Sequence, residues 1–525
     1  MKIKSILTSV ASLSLVAANC AERPNIVLIM CDDMGYSTLG CYGSEVETPN
    51  FDLLGENGIR FTQFKNTGRS CPSRASLLTG CYPHNVDMGW MTAVDEHREG
   101  YRGEITSQVP TIAEVLKSGG YETYMSGKWH VTGDDAYLEL EKSEIKPNGS
   151  FPTDRGFDRY YGALTGGGSY YDPVGLLIDD KPVLSVGGDY YYTDAITENA
   201  VKFIDKHDVD KPMFLYVAHY APHLPLQAPQ ERIDKCRERY EVGYDVVREK
   251  RFERMVQMGI IPIGGDAPIH NDEFNDGVRI SWEDFDSIKR ERWINDAATY
   301  AAMVEIADDG IGEIIEATKR KGIYDNTIFI MLSDNGGTEE QGEISKYLAD
   351  LNNTPFREYK KRCYLGGTSS PLIIFSELYK DRAGQINNDC YTHINDIMPT
   401  CLDMAKIEYP EVFAGGQITP PDGVTILPAL SGGEIEPRDL YFEHESSAAI
   451  ISGKWRLVRA DMNSEWELID LDKNPYEVRS LTTDNEAKIE ELRAKWQAWA
   501  EGNKVFPLEN KLWKDRIPYY NNRAD

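Results

Sequence analysis

The chain has 525 residues, 41% of them apolar and 10% aromatic, with 85 Asp and Glu against 56 Lys and Arg, a formal net charge of −29 with His neutral. This composition excludes a disordered polymer, and the acidity excludes a sequence-independent nucleic-acid binder, which needs a basic face. An anionic substrate would meet a repelling overall field, so binding one requires a local cluster of cations.

At the N-terminus, Lys2 and Lys4 precede an apolar run from Ile6 to Ala18 and then small residues, so residues 1–21 read as an export signal. That run is short for a membrane span, and no later segment offers about 18 uninterrupted apolar residues, so no transmembrane segment is expected in the mature chain. The expected location is periplasmic. Cys20 offers a lipid anchor to the outer surface, although Asn19 fits a lipobox poorly.

Asn25–Cys31 is a short apolar run ending in Asp32 and Asp33, which predicts a buried parallel strand with acids at its carboxyl end. Helical patterns follow at 49–57, 72–79 and 110–118, with strands at 122–125 and 213–218. Tyr300, Met303, Val304, Ala307, Ile311 and Ile314 recur at helical spacing, predicting a long amphipathic helix over 295–320. Thr327–Leu332 is again a buried strand, ending at Ser333, Asp334 and Asn335. Two strands thus deliver polar pairs to one sheet edge, where α/β sheets bind ligands. The charged stretch 229–292 holds a helix-like segment and a Gly/Pro-rich loop without an evident role. From about residue 437 four short strands (440–443, 448–451, 455–458 and 466–469) imply an antiparallel sheet, covered by a helix over 484–500 through Ile489, Leu492, Trp496 and Trp499. The expected division is a signal at 1–21, a large domain over 22–436 and a C-terminal subdomain over 437–525.

Nine cysteines are scattered without a C-x-x-C pair, so most are expected to be buried thiols, with room for one or two bridges. An exported protein with so many unpaired thiols suggests an oxygen-poor habitat.

Ser70 precedes Cys71 and Pro72, and Pro72 opens a helix, which puts Ser70 near free backbone N–H groups that favour an anion. Taken alone, this reads more readily as an ordinary helix-capping serine. Asp32, Asp33, Asp334 and Asn335 form an all-oxygen donor set suited to calcium, though adjacent acids are also common in turns. The run Ser70-Cys71-Pro72-Ser73-Arg74 through Leu78-Thr79-Gly80 resembles the signature of the formylglycine-dependent sulfatases of the alkaline phosphatase superfamily, with Ser70 two positions before the proline as the modified residue. The strings NIVLIMCDDMG and SDNGG resemble that family's calcium-binding segments, and Gly127-Lys128-Trp129-His130 and Ala221-Pro222-His223 resemble its further site segments.

The resemblance, which runs from Arg23 to about Trp499, implies a large, mainly parallel α/β sheet sandwiched by helices, with a smaller C-terminal sheet and helix. It also implies a sulfuric ester hydrolase with Ca2+ on Asp32, Asp33, Asp334, Asn335 and the residue at 70. Ser70 would become 3-oxoalanine (formylglycine), oxidised by an anaerobic sulfatase-maturating enzyme. A hydrated aldehyde offers two hydroxyls on one carbon, so one attacks sulfur and the other lets the carbon centre release sulfate. Arg74 would bind that hydroxyl and support the metal ligands, Lys128 would bind sulfate, and His130 would position or deprotonate the diol. His223 would lie near the sulfate and leaving oxygen, and Lys360 would protonate the departing alcohol. Leu365 departs from the family's usual Glu before Gly366-Gly367, and Lys361 is adjacent, so the register at Lys360 rests on its spacing. Without the flanking match, Lys128 and His130 would read as a surface lysine and a packed histidine, and His223 as a structural one.

The substrate expected from this resemblance is a sulfated carbohydrate such as a mucin glycan, glycosaminoglycan or algal polysaccharide. Trp90, His97, Arg98, Arg102 and Tyr170 are expected to line its pocket, with exposed surface loops as the other reading of those segments. The competing functions are phosphoester or phosphonate hydrolysis by the same machinery, and a non-catalytic sulfated-glycan binder in which Ser70 stays a serine.

Overall fold

The computed structural model describes residues 23–134, 149–262, 281–340, 346–477, 485–511 and 513–516. The expected export signal and Cys20 lie outside them. Among the described residues no helix is long and apolar enough to cross a membrane.

A ten-stranded sheet forms the centre. Across it, the strands run Gln385–Asn387, Ile59–Phe61, Leu372–Phe375, Thr327–Ser333, Asn25–Cys31, Met213–Ala218, Glu122–Gly127, Arg159–Ala163, Leu176–Ile178 and Lys181–Pro182. Asn25–Cys31 pairs in parallel with both Met213–Ala218 and Thr327–Ser333, and Glu122–Gly127 continues the parallel run. Leu372–Phe375 and the last two strands are antiparallel. The fold is therefore the mainly parallel α/β sandwich expected.

Alternation along the strands feeds two cores. Val27, Ile29 and Cys31 face one layer, which includes the long helix Ser287–Lys321 and the helix Tyr192–Lys206. Ile26, Leu28 and Met30 face the other, with the helices Ser70–Thr79, Ile112–Ser118 and Ile397–Ala405. A capping box from Thr111 and Glu114 starts the second of these helices. The stretch 229–292 supplies helices Gln230–Arg237 and Tyr244–Gln257, with Ile233, Tyr244, Val247 and Met255 in the first core.

The register fixes the site. Cys31 pairs with Ser333, Met30 with Ala218, and Gly127 with Ala218, so four adjacent parallel strands end level. Their next residues emerge along one edge. Close spacing there demands glycine: a Cβ on Gly127, whose φ is +123°, would lie 1.9 Å from the Ala218 carbonyl oxygen.

The separate C-terminal sheet comprises Leu440–His444, Ser447–Ser452, Trp455–Arg459 and Glu467–Asp470, all antiparallel. Its helix, Glu486–Gly502, packs Leu492, Trp496 and Trp499 against Ala448, Ile450, Leu457 and Leu468. The opposite face of the same sheet, through Phe442, Ala449, Ile451, Val458 and Ile469, joins the first core. All eight described cysteines are free and seven are buried.

Candidate active site

The helix carrying Ser70 begins at Ser70 itself, with Arg69 as its cap, rather than at residue 72. Pro72 permits this because a first-turn residue needs no intrahelical N–H partner. The Ser70 hydroxyl donates to Asp334 Oδ2 at 2.7 Å and accepts from Arg74 Nε at 2.9 Å. Arg74, one turn later, also binds Asp334 Oδ2 through Nη2 at 2.9 Å, Asp32 Oδ2 at 3.2 Å and the Lys128 carbonyl through Nη1 at 2.8 Å. One buried guanidinium thereby ties together three of the strand ends.

Lys128 and His130 reach the site by a route that plain strand alternation misses. The strand ends at Gly127, and His130 takes a left-handed conformation with φ of 60°. Lys128 Nζ pairs with Asp32 and donates to the Gly166 carbonyl at 2.9 Å, while His130 Nδ1 lies 3.3 Å from Ser70 Oγ. A Cβ at Gly166 would fall 2.1 Å from His130 Nε2, so only glycine lets this loop close over the imidazole. His223 Nε2 stands 3.7 Å from Asp33 Oδ2, with Nδ1 on the Leu224 carbonyl at 2.6 Å. Lys360 Nζ contacts both Asp33 oxygens, at 2.7 and 3.0 Å. Ser70, Arg74, Lys128, His130, His223 and Lys360 are thus brought to one edge with Asp32, Asp33, Asp334 and Asn335.

The donor set fits a divalent cation. Asp32 Oδ1 and Asn335 Oδ1 are buried and accept no hydrogen bond, a cost that a cation would relieve. Asn335 Nδ2 donates instead to Asp33 Oδ1 at 2.7 Å and the Gly336 carbonyl at 2.8 Å, which turns its Oδ1 away as a free ligand atom. Ligand atoms of Asp32, Asp33 and His223 lie within 4.8 Å of one another. Hard oxygen donors favour calcium or magnesium over zinc.

Electrostatics divide the carboxylates. Burial alone would raise all three, but Lys128, His223 and Arg74 hold Asp32 well below the usual range. Burial and the neighbouring Asp32 push Asp334 up to about 6, and burial likewise raises Asp33 despite Lys360. A cation beside them would favour the ionised form of both. Burial, reinforced by Lys128 and Arg74, lowers His130 far below its ordinary value, so its imidazole is neutral.

The side chains expected to line a sugar pocket are engaged with the protein's own groups. Tyr170 is fully buried, and its hydroxyl binds the Tyr220 and His223 carbonyls at 3.1 and 2.8 Å, so it braces the His223 loop instead of offering a ring to solvent. Trp90 is 2% exposed, with Nε1 on Glu445 at 2.9 Å and its ring covered by Arg516. His97 and Arg102 pair with Asp95, and Arg98 with Glu96 over the Tyr101 ring. Sequence reasoning missed Glu340, which bridges Arg69, Lys360 and Lys361. Its only signal is its place in the loop that follows Asp334 and Asn335.

Comparison with known proteins agrees with this geometry. The profile of the family described as Sulfatase matches residues 24–407. An arylsulfatase of Klebsiella aerogenes is 29% identical, the match covering 83% of this chain and 99% of that protein. An N-acetylgalactosamine-6-sulfatase of Rattus norvegicus is 26% identical over 96% of this chain and 84% of its own length. The crystal structure of Ps i-CgsB in complex with k-i-k-neocarrahexaose has the same fold, with a TM-score of 0.69 at 24% identity, covering 95% of this chain and 99% of that one. The chain belongs to the sulfatase family and is a sulfuric ester hydrolase.

Proposed function

We propose that this enzyme is exported to the periplasm and removes sulfate from a carbohydrate ester, using Ser70 matured to formylglycine beside a calcium ion held by Asp32, Asp33, Asp334 and Asn335. The observation that carries the reading is the Ser70 hydroxyl, 1% exposed at the residue level, held between Arg74 and Asp334 with the neutral His130 3.3 Å away. A merely capping serine would bind its own helix's N–H groups, and this helix has no side-chain cap at all.

When bound, calcium supplies positive charge that favours an ionised nucleophile and binds sulfate oxygen, and formylglycine supplies the second hydroxyl that frees the sulfate. The chain's own residues do the rest. Arg74 fixes the oxygen at position 70. Lys128 presents an ammonium to the sulfate, and His130 accepts a proton from the hydroxyl at 70. Lys360 is held protonated, because Asp33 and Glu340 outweigh the burial that would lower its pKa, and it donates to the departing alcohol oxygen. The carbohydrate class accords with the sugars named for structural relatives: neocarrahexaose above, and D-glucosamine-2-N,6-O-disulfate as substrate in another structure of this fold. The large domain over 22–436 carries all of these residues, and the subdomain over 437–525 supports them.

The test is to express the chain with an anaerobic maturase, measure the mass of the Ser70 peptide, and assay sulfate release from defined sulfated mono- and disaccharides. An aldehyde-containing peptide with sulfate release supports the proposal. Turnover of phosphodiesters but no sugar sulfate, or an unmodified serine in native cells, overturns it.

A further inference from the structure

Glu340 occupies a position that neither the nucleophile nor the metal set requires. Its Oε1 takes Arg69 Nη1 at 2.8 Å and Lys361 Nζ at 2.5 Å, and its Oε2 takes Lys360 Nζ at 3.2 Å. Three cations drawn from two separate segments therefore hold one carboxylate. Side-chain exposure rises outward in the order Lys360 3%, Glu340 18%, Lys361 37%, so Glu340 stands between the enclosed chemistry and solvent. Oε2 carries only the Lys360 contact among the described residues, and a carboxylate oxygen accepts two hydrogen bonds.

This inference rests on the role proposed for Lys360. If Lys360 Nζ reaches the leaving oxygen, the sugar must lie beside that ammonium, on the solvent side of it, where Glu340 Oε2 is within 3.2 Å. The hydroxyl nearest the ester on a pyranose lies about one hydrogen-bond length from the ester oxygen. A carboxylate at this distance from the proton donor is placed to accept from that hydroxyl. Arg69, Lys360 and Lys361 overcome burial and keep it ionised, so it can accept but not donate, and a sulfate in place of that hydroxyl would set acceptor oxygen against acceptor oxygen with no proton between them.

We propose that Glu340 is a specificity-determining residue that reads the free hydroxyl nearest the scissile ester, so that the enzyme selects sugars sulfated at one position and free at the next. A role confined to holding Lys360 would slow every substrate that needs a proton, whatever its hydroxyls. The two roles separate in a cycle of enzyme and substrate changes.

The experiment uses the matured full-length chain and Glu340→Gln. The substrates are 4-nitrophenyl sulfate, the monosulfated hexose that wild type cleaves fastest from a galactose and glucosamine panel, and that hexose's deoxy and doubly sulfated analogues at the nearest hydroxyl. Wild type should prefer the free hydroxyl over the deoxy sugar by about 10- to 100-fold in kcat/KM, the range for a hydrogen bond to a charged group. Glu340→Gln should erase most of that preference and gain relative activity on the doubly sulfated sugar. Equal losses on the hexose and its deoxy analogue, whether or not the aryl sulfate is spared, would overturn the inference while leaving the sulfatase reading intact. If matured wild type releases sulfate from nothing, the reading of Ser70 fails instead. Calorimetric binding of the same sugars to the unmatured chain and its Glu340→Gln variant then tests the Glu340 contact directly, with undifferentiated binding counting against it.

Discussion

Lys360 and Lys65 are both buried lysines, and their surroundings give them opposite behaviour. Lys360 has Asp33 and Glu340 beside it and stays protonated. On the reading above, Lys360→Ala should lower kcat/KM for a sugar sulfate by about 100- to 10,000-fold, the usual range for losing a general acid. The loss on 4-nitrophenyl sulfate should be far smaller, because nitrophenolate leaves without a proton. Parallel loss on both substrates in steady-state assays would remove Lys360 from the proton-donor role. Lys65 donates to Ser369 at 3.0 Å and Gln63 at 3.4 Å and lies 5.6 Å from the centre of the Phe356 ring, and burial, with Arg456 nearby, drops its pKa to about 7. An unfolded lysine keeps its proton up to about 10.4, so between pH 7 and 10 the unfolded chain binds more protons. This group's contribution therefore rises with pH over that window and is lost as pH falls through 7. Lys65→Met should raise the melting temperature near neutrality, by roughly a few kcal/mol in stability, and flatten the slope of melting temperature from pH 7 to 9.5. Both lysines look alike in the sequence. What separates them is which carboxylates the fold brings alongside, and those come from residues up to about three hundred positions away.

Among elements, the segment around Lys360 shows how the C-terminal sheet serves the site. Glu358 and Lys361, on either side, have φ of 67° and 77°, left-handed values that non-glycine residues adopt only when surroundings enforce them. The enforcement comes from the C-terminal unit. Arg357 makes a two-pronged pair with Glu467 at 2.7 and 3.0 Å, and Leu365 N–H donates to Glu477 at 2.6 Å. Glu477 is itself fully buried against Arg456, which also binds the Cys363 carbonyl. Replacing Glu477 with Gln leaves Arg456 charged and unmatched, so urea unfolding should show a loss of about 3–5 kcal/mol. The strands and covering helix of this unit are legible from short apolar runs between turns and from the spacing of Leu492, Trp496 and Trp499. Its second buried face is not legible, because Phe442, Ala449 and Ile451 read equally well as half of an isolated sheet. Since that face belongs to the main core, Trp496→Ala should cost about 3–5 kcal/mol and shift one cooperative urea transition. A separate early transition would show instead that residues 437–525 melt alone.

For the whole molecule, the strand ends and their acidic pairs are legible because a buried parallel strand is an apolar run stopped by polar residues. The motif residues follow from resemblance, and the topology explains why they meet. Trp90 and Tyr170 mislead because an aromatic side chain gives the same signal in a core as in a pocket, and Glu340 is silent because nothing in its own segment marks its three cations. Charge at this scale yields two further expectations. Asp32, Asp33 and Asp334 are set against Arg74, Lys128 and Lys360, so the donor cage is near neutral without a metal and positive with one. Chelation should lower the melting temperature and calcium should restore it with a concentration dependence, about 2.7 kcal/mol at a hundredfold excess over Kd. In Asp334→Asn that response should weaken, as followed by differential scanning fluorimetry. Outside the cage, a net charge of −29 repels a sulfated polymer over roughly a Debye length, about 10 Å at 0.1 M salt. Repulsion between like charges is relieved by salt, whereas steering between opposite charges is weakened by it. The kcat/KM for a polysulfated oligosaccharide should therefore rise between 10 and about 150 mM NaCl, and that for the singly charged 4-nitrophenyl sulfate should rise less. A fall for the oligosaccharide over the same range would mean that a positive path leads polymers past the acidic surface, with the partly exposed Lys361 beside Glu340 as its inner end.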